Sequence, residues 1–145
     1  MTRINLVPPS ELMDQHLFAE FREIKMVPKS LARSIRARGV QGVLAMVPAA
    51  FTLNKGHVSF FYDKGQYLSK RYVELREELE RRGINFDRGS LLDPDGVYLK
   101  HYPEFFGGYT PTPEALGIIR TRIAEKIAMK PGWYRHTGRN NHASL

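Results

Sequence analysis

The sequence predicts an all-α fold: a single compact domain of three principal helices with long irregular connecting loops. Three segments repeat apolar residues every three or four positions, which is the period of a buried helix face. Each segment is bounded by residues that favour helix ends. The length of 145 residues suits one domain with one core, so residues 1–145 are treated as a single unit.

The first predicted helix follows a short, proline-ended arm, residues 1–9. Ser10 is the expected N-cap, and Glu11 in the first turn complements the helix dipole. Pro28 is expected to kink or divide the helix because it lacks a backbone donor. Gly39 is the expected stop after a basic last turn. The apolar face consists of Leu12, Leu17, Phe21, Ile24, Leu31 and Ile35.

The second predicted helix begins after Asp63, the expected cap, and ends at Gly83. Its apolar stripe is Leu68, Tyr72, Leu75 and Leu79. Two pairs of opposite charge lie four residues apart in the favourable order: Glu77 with Arg81, and Glu78 with Arg82.

The third predicted helix has Thr112 as N-cap and Pro113 at its first position, and it stops before Pro131. Its face consists of Leu116, Ile119, Ile123 and Ile127. Residues 40–62 and 84–111 are expected to be irregular. Short strands at 43–51 and 58–62 are the alternative, although Pro48 and Gly56 argue against them.

The charge indicates a polyanionic partner. The chain has 22 Lys and Arg residues against 15 acidic ones, a formal net charge of +7 and a pI of about 9.8. Such a basic domain is typical of nucleic-acid binding, while a merely soluble basic protein is the alternative. No cysteine is present, which excludes disulfides and thiol chemistry and is compatible with the cytoplasm. No secretory signal and no transmembrane segment are expected.

Neither a metal site nor a cofactor is expected. The histidines are scattered, and no pair has helical ligand spacing with a carboxylate partner: His16, His57, His101, His136 and His142. A glycine-rich phosphate loop and a Gly-x-Ser-x-Gly elbow are also absent from the sequence. These observations argue against metalloenzymes, nucleotide hydrolases and elbow hydrolases.

The N-terminus offers a candidate nucleophile. Initiator methionine is generally removed before a small residue, so the mature chain would begin with the α-amino group of Thr2. That amine has a pKa of about 7.7–8.0 against about 10.4 for lysine, so much more of it is neutral at pH 7. Neutral amines attack carbonyl carbon to form Schiff bases. An ordinary N-terminus is the alternative.

Two other features are candidates from the residues alone. Glu23 lies in the first predicted helix near His16, Arg22 and Lys25, where it could act as a general acid/base or form a surface salt bridge. The tail, residues 130–145, mixes aromatic and basic side chains in a way that suits nucleic acid, unless Trp133 and Tyr134 dock onto the core.

Short motifs spread over most of the chain carry a family resemblance. They are MTRINL at 1–6, SEL at 10–12, DQHL at 14–17, AEFRE at 19–23, GHVSFFYDK at 56–64, KR at 70–71, EL at 74–75, EKIA at 125–128, and Pro131 with Trp133 and Tyr134. The combination resembles the pyrimidine-dimer DNA glycosylase family typified by phage endonuclease V.

The resemblance implies an all-α, cofactor-free glycosylase and abasic-site lyase acting on double-stranded DNA that contains damaged bases or abasic sites. It implies that Thr2 supplies the nucleophilic amine and Glu23 the catalytic carboxylate. It assigns residues at the DNA and the lesion: Arg3, Gln15, His16, Arg22, Arg122 and Lys126, with Trp133 and Tyr134 of the tail. A cytoplasmic, DNA-associated monomer of a bacterium or an infected host, without an obligate protein partner, is then expected.

The chain departs from the family pattern at several positions. Phe21 stands for a tyrosine, Met26 for an arginine and Tyr72 for a glutamine, at or near the expected DNA-facing surface. His136 and Thr137 replace two tail aromatics, and the loop at 93–101 is longer. Two alternatives remain: a non-catalytic duplex-binding module, and the same chemistry on a different damaged base.

Overall fold

Five α-helices follow one another along residues 3–138, the part of the chain that the computed structural model describes: α1 (Asp14–Glu23), α2 (Met26–Met46), α3 (His57–Phe60), α4 (Gly65–Arg82) and α5 (Pro113–Met129). Short 3₁₀ turns at Pro9–Glu11 and Pro103–Phe105 and a π-helical turn at Val97–His101 complete the regular structure. Within these residues, β-type pairing is limited to one isolated bridge, between Lys64 and Phe106. The predicted all-α fold is confirmed.

The first predicted helix forms as two helices that meet at residues 24–25. Pro28 does not divide them, because it lies in the first turn of α2, where an N–H has no intrahelical acceptor. Ser10 belongs to the preceding 3₁₀ turn, and Met13 is the N-cap of α1, so the expected Ser10 cap was wrong. Gly39 does break the helix, with φ 76°, but helical structure resumes and continues to Met46.

α4 ends as predicted, and begins differently. Gly83 adopts the left-handed conformation, with φ 71°, that ends the helix. The N-cap is Lys64 rather than Asp63, and no side chain caps it. The predicted Glu78–Arg82 pair forms at 2.7 Å, whereas Arg81 also pairs with Glu78 rather than with Glu77.

α5 begins as predicted, because the Thr112 hydroxyl accepts from Ala115 N at 3.0 Å and Pro113 occupies the first turn. The segment before it is less irregular than expected. The Asp93 carboxylate accepts from Val97 N at 2.9 Å and from Tyr98 N at 3.0 Å, which starts the π-helical turn. α3 occupies the segment considered as a strand at 58–62.

The core lies where α1 packs against α4, with α2 and the start of α5 around them. Its largest fully buried side chains include Leu17, Ile24, Leu68, Leu75 and Ile119, all from the predicted apolar faces. The N-terminal arm is part of this core, because Ile4, Leu6 and Val7 are buried. No helix in residues 3–138 is both long and apolar enough to span a membrane.

Candidate active site

A cavity of about 340 Å³ lies where the N-terminal arm, α1, the end of α5 and the tail meet. Most of the predicted site residues line it: Arg3, Gln15, His16, Glu23, Lys126, Trp133 and Tyr134. A larger cavity of about 570 Å³, between the arm, α4 and residues 108–111, is lined by none of them. The smaller cavity is therefore the candidate active site.

His57 holds the arm in place on one side. Ile4 N donates to His57 Nε2 at 2.9 Å, and His57 Nδ1 lies 2.8 Å from the carbonyl oxygen of Thr52. Since one ring nitrogen accepts and the other donates, the ring is the neutral tautomer with its proton on Nδ1. Burial lowers the pKa of His57, which favours the same neutral form.

Glu20 holds the arm on the other side. Its carboxylate is almost fully buried and accepts from Asn5 N at 3.1 Å and from Asn5 Nδ2 at 2.8 Å. Arg71 donates to the same carboxylate from Nε at 2.7 Å and Nη2 at 3.0 Å, and to Val7 O at 2.5 Å. Burial opposes the positive charge of Arg71, but Glu20 outweighs burial and raises the pKa of Arg71. The arm is thus fixed by charge-assisted hydrogen bonds.

Leu6 takes a backbone conformation that non-glycine residues rarely adopt, with φ 61°. Val7 N donates to Asn5 O at 2.5 Å across it, so the arm makes a tight three-residue turn here. Such a conformation costs about 1–3 kcal/mol and persists where surrounding contacts hold it. The contacts to Asn5 and Val7 described above do so, and the Leu6 side chain is itself buried.

Positive charge is concentrated in the cavity. Burial, and then repulsion from Arg122, lower the pKa of Arg3, while the Glu23 carboxylate opposes this change. Burial, and then Arg3 and Lys126, lower the pKa of His16, so this imidazole is neutral at pH 7. The cavity therefore combines two carboxylates, Glu20 and Glu23, with cations and a neutral imidazole, a set that suits proton transfer beside a phosphate backbone.

His16 has no hydrogen-bond partner for either ring nitrogen among residues 3–138, although both nitrogens are shielded from solvent. Its ring packs against that of Tyr134, with centroids 4.6 Å apart. Trp133 lies edge-on to Tyr134 at 4.8 Å, and the Lys130 ammonium stands 4.7 Å from the Trp133 ring. An aromatic and a cationic side chain of the tail therefore lie side by side, and Trp133 and Tyr134 line the cavity.

Gln15 connects α1 to the tail. Its Nε2 donates to Trp133 O at 2.7 Å, and its Oε1 accepts from Arg135 N at 3.1 Å. Both ends of the amide are therefore used to hold the backbone on either side of Tyr134. A direct role for Gln15 at the DNA stays a prediction, and the structure adds this positioning role.

Arg82 of α4 anchors the described part of the tail further along. Its guanidinium donates to Asp14 Oδ1 at 2.9 Å and lies 3.2 Å from His136 Nε2. Asp14 also accepts from the backbone N and the hydroxyl of Thr137. His136 Nε2 is 2.6 Å from Ser10 O. His136 and Thr137, which depart from the family pattern, are thus the residues that fasten the tail to α1 and α4.

Of the predicted site residues that the structure describes, Arg22 and Arg122 do not line the cavity. Arg122 is close enough to act on Arg3 electrostatically and lies 3.6 Å from Glu125. Arg22 is exposed, with its guanidinium 5.8 Å from the Phe18 ring. Thr2 lies outside the described residues, as do residues 139–145 of the tail.

The expected DNA-facing position of two residues was wrong. Phe21 and Tyr72 are buried and stacked on each other, with centroids 4.9 Å apart, and the Tyr72 hydroxyl donates to Ser90 O at 2.9 Å. These two departures from the family pattern therefore complement each other in the core. Met26, in contrast, is 51% exposed.

Sequence reasoning missed the residues that hold the arm: Asn5, Glu20, His57 and Arg71. Three of them fall inside the quoted motifs, AEFRE, GHVSFFYDK and KR, and Asn5 lies in MTRINL. A charged residue within an apolar helix face was the available signal, because Glu20 is placed between Leu17, Phe21 and Ile24.

The described residues contain no group of three or more His, Asp and Glu side chains that could hold a metal ion. Comparison with protein families gives one further finding. A family model described as pyrimidine dimer DNA glycosylase matches residues 1–91, which include the arm, α1 and α4.

Proposed function

The chain belongs to the pyrimidine dimer DNA glycosylase family, and on that premise we propose that it is a glycosylase with abasic-site lyase activity on damaged duplex DNA. We propose the α-amino group of Thr2, exposed after removal of Met1, as the nucleophile and Glu23 as the acid/base. Family membership supports the glycosylase step at pyrimidine dimers. The lyase step and the residue roles are our proposal.

The observation that carries the proposal is that Arg3 and Glu23 line one cavity. Thr2 is bonded directly to Arg3, and the following residues of the arm are tied down through Ile4 N and Asn5 N. A nucleophile must be held within reach of the reacting atom, and a rigid attachment lowers the entropic cost of doing so. The Thr2 amine lies two residues before Ile4, the first anchored residue, and this closeness supports its proposed role.

In the first step, the neutral amine attacks C1′ of the damaged nucleotide. The bond between C1′ and the base breaks, and the base leaves with the electron pair. One amine proton passes to the departing base, the bond from C1′ to O4′ breaks, and the second amine proton passes to O4′. The sugar ring is then open, and an imine joins the enzyme to C1′.

In the second step, a proton leaves C2′ and the bond from C3′ to its phosphate oxygen breaks. Glu23 is the proposed base for this β-elimination, and it also stabilises positive charge on the sugar in the first step. The neutral His16 is available to exchange hydrogen bonds with the substrate, since neither of its nitrogens has a partner within residues 3–138. Water then hydrolyses the imine and releases the enzyme.

Duplex binding is assigned to the basic groups around the cavity. Arg3, Lys126 and Arg122 neutralise phosphates, and Arg22 extends this surface along α1. Trp133 and Tyr134 offer aromatic faces to a sugar or an unstacked base. The target nucleotide must leave the stack for C1′ to be reached, and the enzyme therefore has to bind a distorted duplex.

The decisive experiment is borohydride trapping on a duplex with one abasic site. We expect a covalent enzyme–DNA adduct at neutral pH with protein whose mass confirms that it begins at Thr2. Protein that carries one additional residue before Thr2 should give little adduct. A wild-type protein that binds the duplex and forms no adduct would be a non-catalytic DNA-binding module, and the proposal would be rejected.

Glu23→Gln tests the carboxylate. We expect it to bind abasic duplex normally and to cleave it about 10²–10⁴-fold more slowly, the range found for general acid–base groups. Glu114→Gln is the matched control, because Glu114 is exposed in the first turn of α5 and does not line the cavity. Equal cleavage rates for the two variants would remove Glu23 from the mechanism.

The base that is removed is tested separately. A panel of duplexes, each with one pyrimidine dimer, oxidised base or alkylated base, should show release at the dimer. If the enzyme released another damaged base and still formed the adduct on abasic DNA, the lyase mechanism would stand and the pyrimidine dimer would not be the substrate.

A further inference from the structure

A second cleft, of about 420 Å³, lies between α2 and the π-helical turn. Its α2 wall includes Lys29, Arg33 and Arg36, and its other wall includes Asp95 and Val97. The three cations are exposed, and none of them forms an ion pair within residues 3–138. Unpaired cations that share a cleft form a surface of positive potential, which none of the assigned roles uses.

The helix geometry places these cations in a row. Lys29, Arg33 and Arg36 are spaced by four and three residues, so they share one face of α2, while Val27, Leu31 and Ile35 on the other side are buried. From residue 29 to residue 36 the helix advances roughly 10.5 Å, at about 1.5 Å per residue. One DNA strand advances about 3.4 Å per nucleotide along the duplex axis, so a row that runs along this axis spans about three nucleotide steps.

The cleft begins close to the active-site cavity along the chain. Glu23, which lines the active-site cavity, is the last residue of α1, and Met26, which lines the cleft, is the first residue of α2. Three residues of chain span at most about 11 Å, because consecutive Cα atoms are about 3.8 Å apart. A strand that leaves the active-site cavity along the protein therefore meets the α2 cations within a few nucleotides.

The second wall of the cleft belongs to the segment 93–101, which contains the π-helical turn Val97–His101. It is well ordered by local contacts, because Asp93 starts the turn and the Tyr98 ring is fully buried beneath it. Its tip carries the exposed Leu99, Lys100 and His101. The loop thus adds a second wall opposite the cationic face of α2, and the loop residues that line the cleft are Asp95 and Val97.

We propose that the α2 cleft, formed by Lys29, Arg33 and Arg36 opposite residues 93–101, binds the phosphates of duplex DNA flanking the lesion. The inference rests on the proposed function for the position of the lesion, but not on the lyase chemistry. The cleft makes phosphate contacts that carry no base specificity, so it strengthens binding to any duplex long enough to reach it. Asp95 lies within this cleft and opposes the binding.

The test measures the affinity of a duplex of about 30 base pairs as a function of salt. We expect Lys29→Ala/Arg33→Ala/Arg36→Ala to reduce the slope of log affinity against log salt by up to about 2.7, since each phosphate contact contributes about 0.9. The affinity for undamaged duplex should fall equally. Cleavage of abasic duplex at saturating enzyme should keep its rate constant, because the cleft does not contact the reacting sugar.

Three controls separate the cleft from general charge and from misfolding. Lys29→Arg/Arg33→Lys/Arg36→Lys keeps the charge and should keep the slope. Lys70→Ala/Arg76→Ala/Arg81→Ala removes the same formal charge from α4 and should change the slope much less. Asp95→Asn should increase affinity, and a gain of binding cannot result from misfolding.

The outcomes are distinct. Equal slopes for the α2 and α4 triple variants would overturn the proposal, and so would unchanged affinity in Asp95→Asn. A wild-type protein that forms no adduct with abasic DNA would reject the proposed lyase function alone, because the salt slope on undamaged duplex is measured without chemistry.

Discussion

Glu20 of α1 and Arg71 of α4 form a buried ion pair with two contacts, 2.7 Å from Nε to Oε2 and 3.0 Å from Nη2 to Oε1. The same two side chains hold Asn5 and Val7 of the N-terminal arm. The pair therefore joins the two central helices to the segment that leads to the proposed nucleophile. Its role can be tested independently of any DNA chemistry.

Arg71→Met should reduce the free energy of unfolding by about 3–5 kcal/mol, because it leaves the Glu20 carboxylate buried without its counter-charge. Chemical denaturation measures this change. The double variant Glu20→Gln/Arg71→Met removes both charges and should be more stable than Arg71→Met alone. If the double variant were the less stable of the two, the pair would not be coupled as described.

Loss of the pair should also reduce abasic-site cleavage more than DNA binding, because the arm would lose two of its anchors. Under native conditions, where the variant is still folded, adduct formation with borohydride is the appropriate measurement. Normal adduct formation in folded Arg71→Met would mean that the arm is positioned by other contacts.

The His57 anchor predicts a dependence of stability on pH. The folded state lowers the pKa of His57 below its usual value of 6.5, mainly through burial and further through Arg3, while Thr52 and Glu20 act in the opposite direction. The unfolded chain therefore binds a proton first as the pH falls. The contribution of His57 to the free energy of unfolding is therefore complete above about pH 6.5. It decreases as the pH falls from there toward the lower pKa that His57 has in the folded state.

His57→Gln should reduce this decrease, since the amide oxygen can accept from Ile4 N and does not titrate. Thermal unfolding between pH 7 and pH 5 measures the slope. His101→Gln is the matched control, because His101 is exposed in the π-helical turn, and it should retain the full slope. An identical slope for both variants would exclude His57 as the titrating group.

Gln15→Leu should detach the tail from α1 while preserving side-chain size. It removes two hydrogen bonds to the tail backbone, worth about 1 kcal/mol each. Trp133 is the single tryptophan of the chain, so its fluorescence reports the tail directly. We expect lower anisotropy and faster acrylamide quenching, together with weaker duplex binding.

Gln41→Leu, an exposed position on α2, serves as the control for Gln15→Leu and should leave the Trp133 signal unchanged. If the Trp133 anisotropy of Gln15→Leu matched that of the wild type, Arg82 and Asp14 would suffice to hold the tail.

Gly65 and Gly117 should respond oppositely to the same substitution. A Cβ at Gly65 would lie 2.6 Å from Cδ1 of the buried Tyr98 ring, so Gly65→Ala should destabilise the protein by about 1–3 kcal/mol. A Cβ at Gly117 meets nothing within 4 Å in the interior of α5, so Gly117→Ala should stabilise it by about 0.5–1 kcal/mol. Denaturation midpoints measure both, and equal shifts in the same direction would contradict the close packing of α4 against residues 97–101.

The sequence by itself determined the features that depend on near neighbours. The C-terminal end of α4 at Gly83 and the N-terminal end of α5 at Thr112 follow from local backbone chemistry. The buried stripes follow from the helical period. The family motifs, read together, also indicated most of the residues that line the cavity. Predicted helix ends were wrong where a local signal competed with packing. Ser10, the predicted N-cap, is an example, because its carbonyl oxygen instead accepts a hydrogen bond from His136.

Only the tertiary structure decided which distant residues meet. Glu20 and Arg71 are 51 positions apart, Ile4 and His57 are 53, and Gln15 and Trp133 are 118. Helical periodicity specifies which face of a segment is buried, but not which polar group on another segment will satisfy a buried charge. That choice is made when the helices pack, because a buried charge without a partner costs free energy. The family motifs therefore indicated most of the cavity residues, while the packed core determined how the N-terminal arm is held.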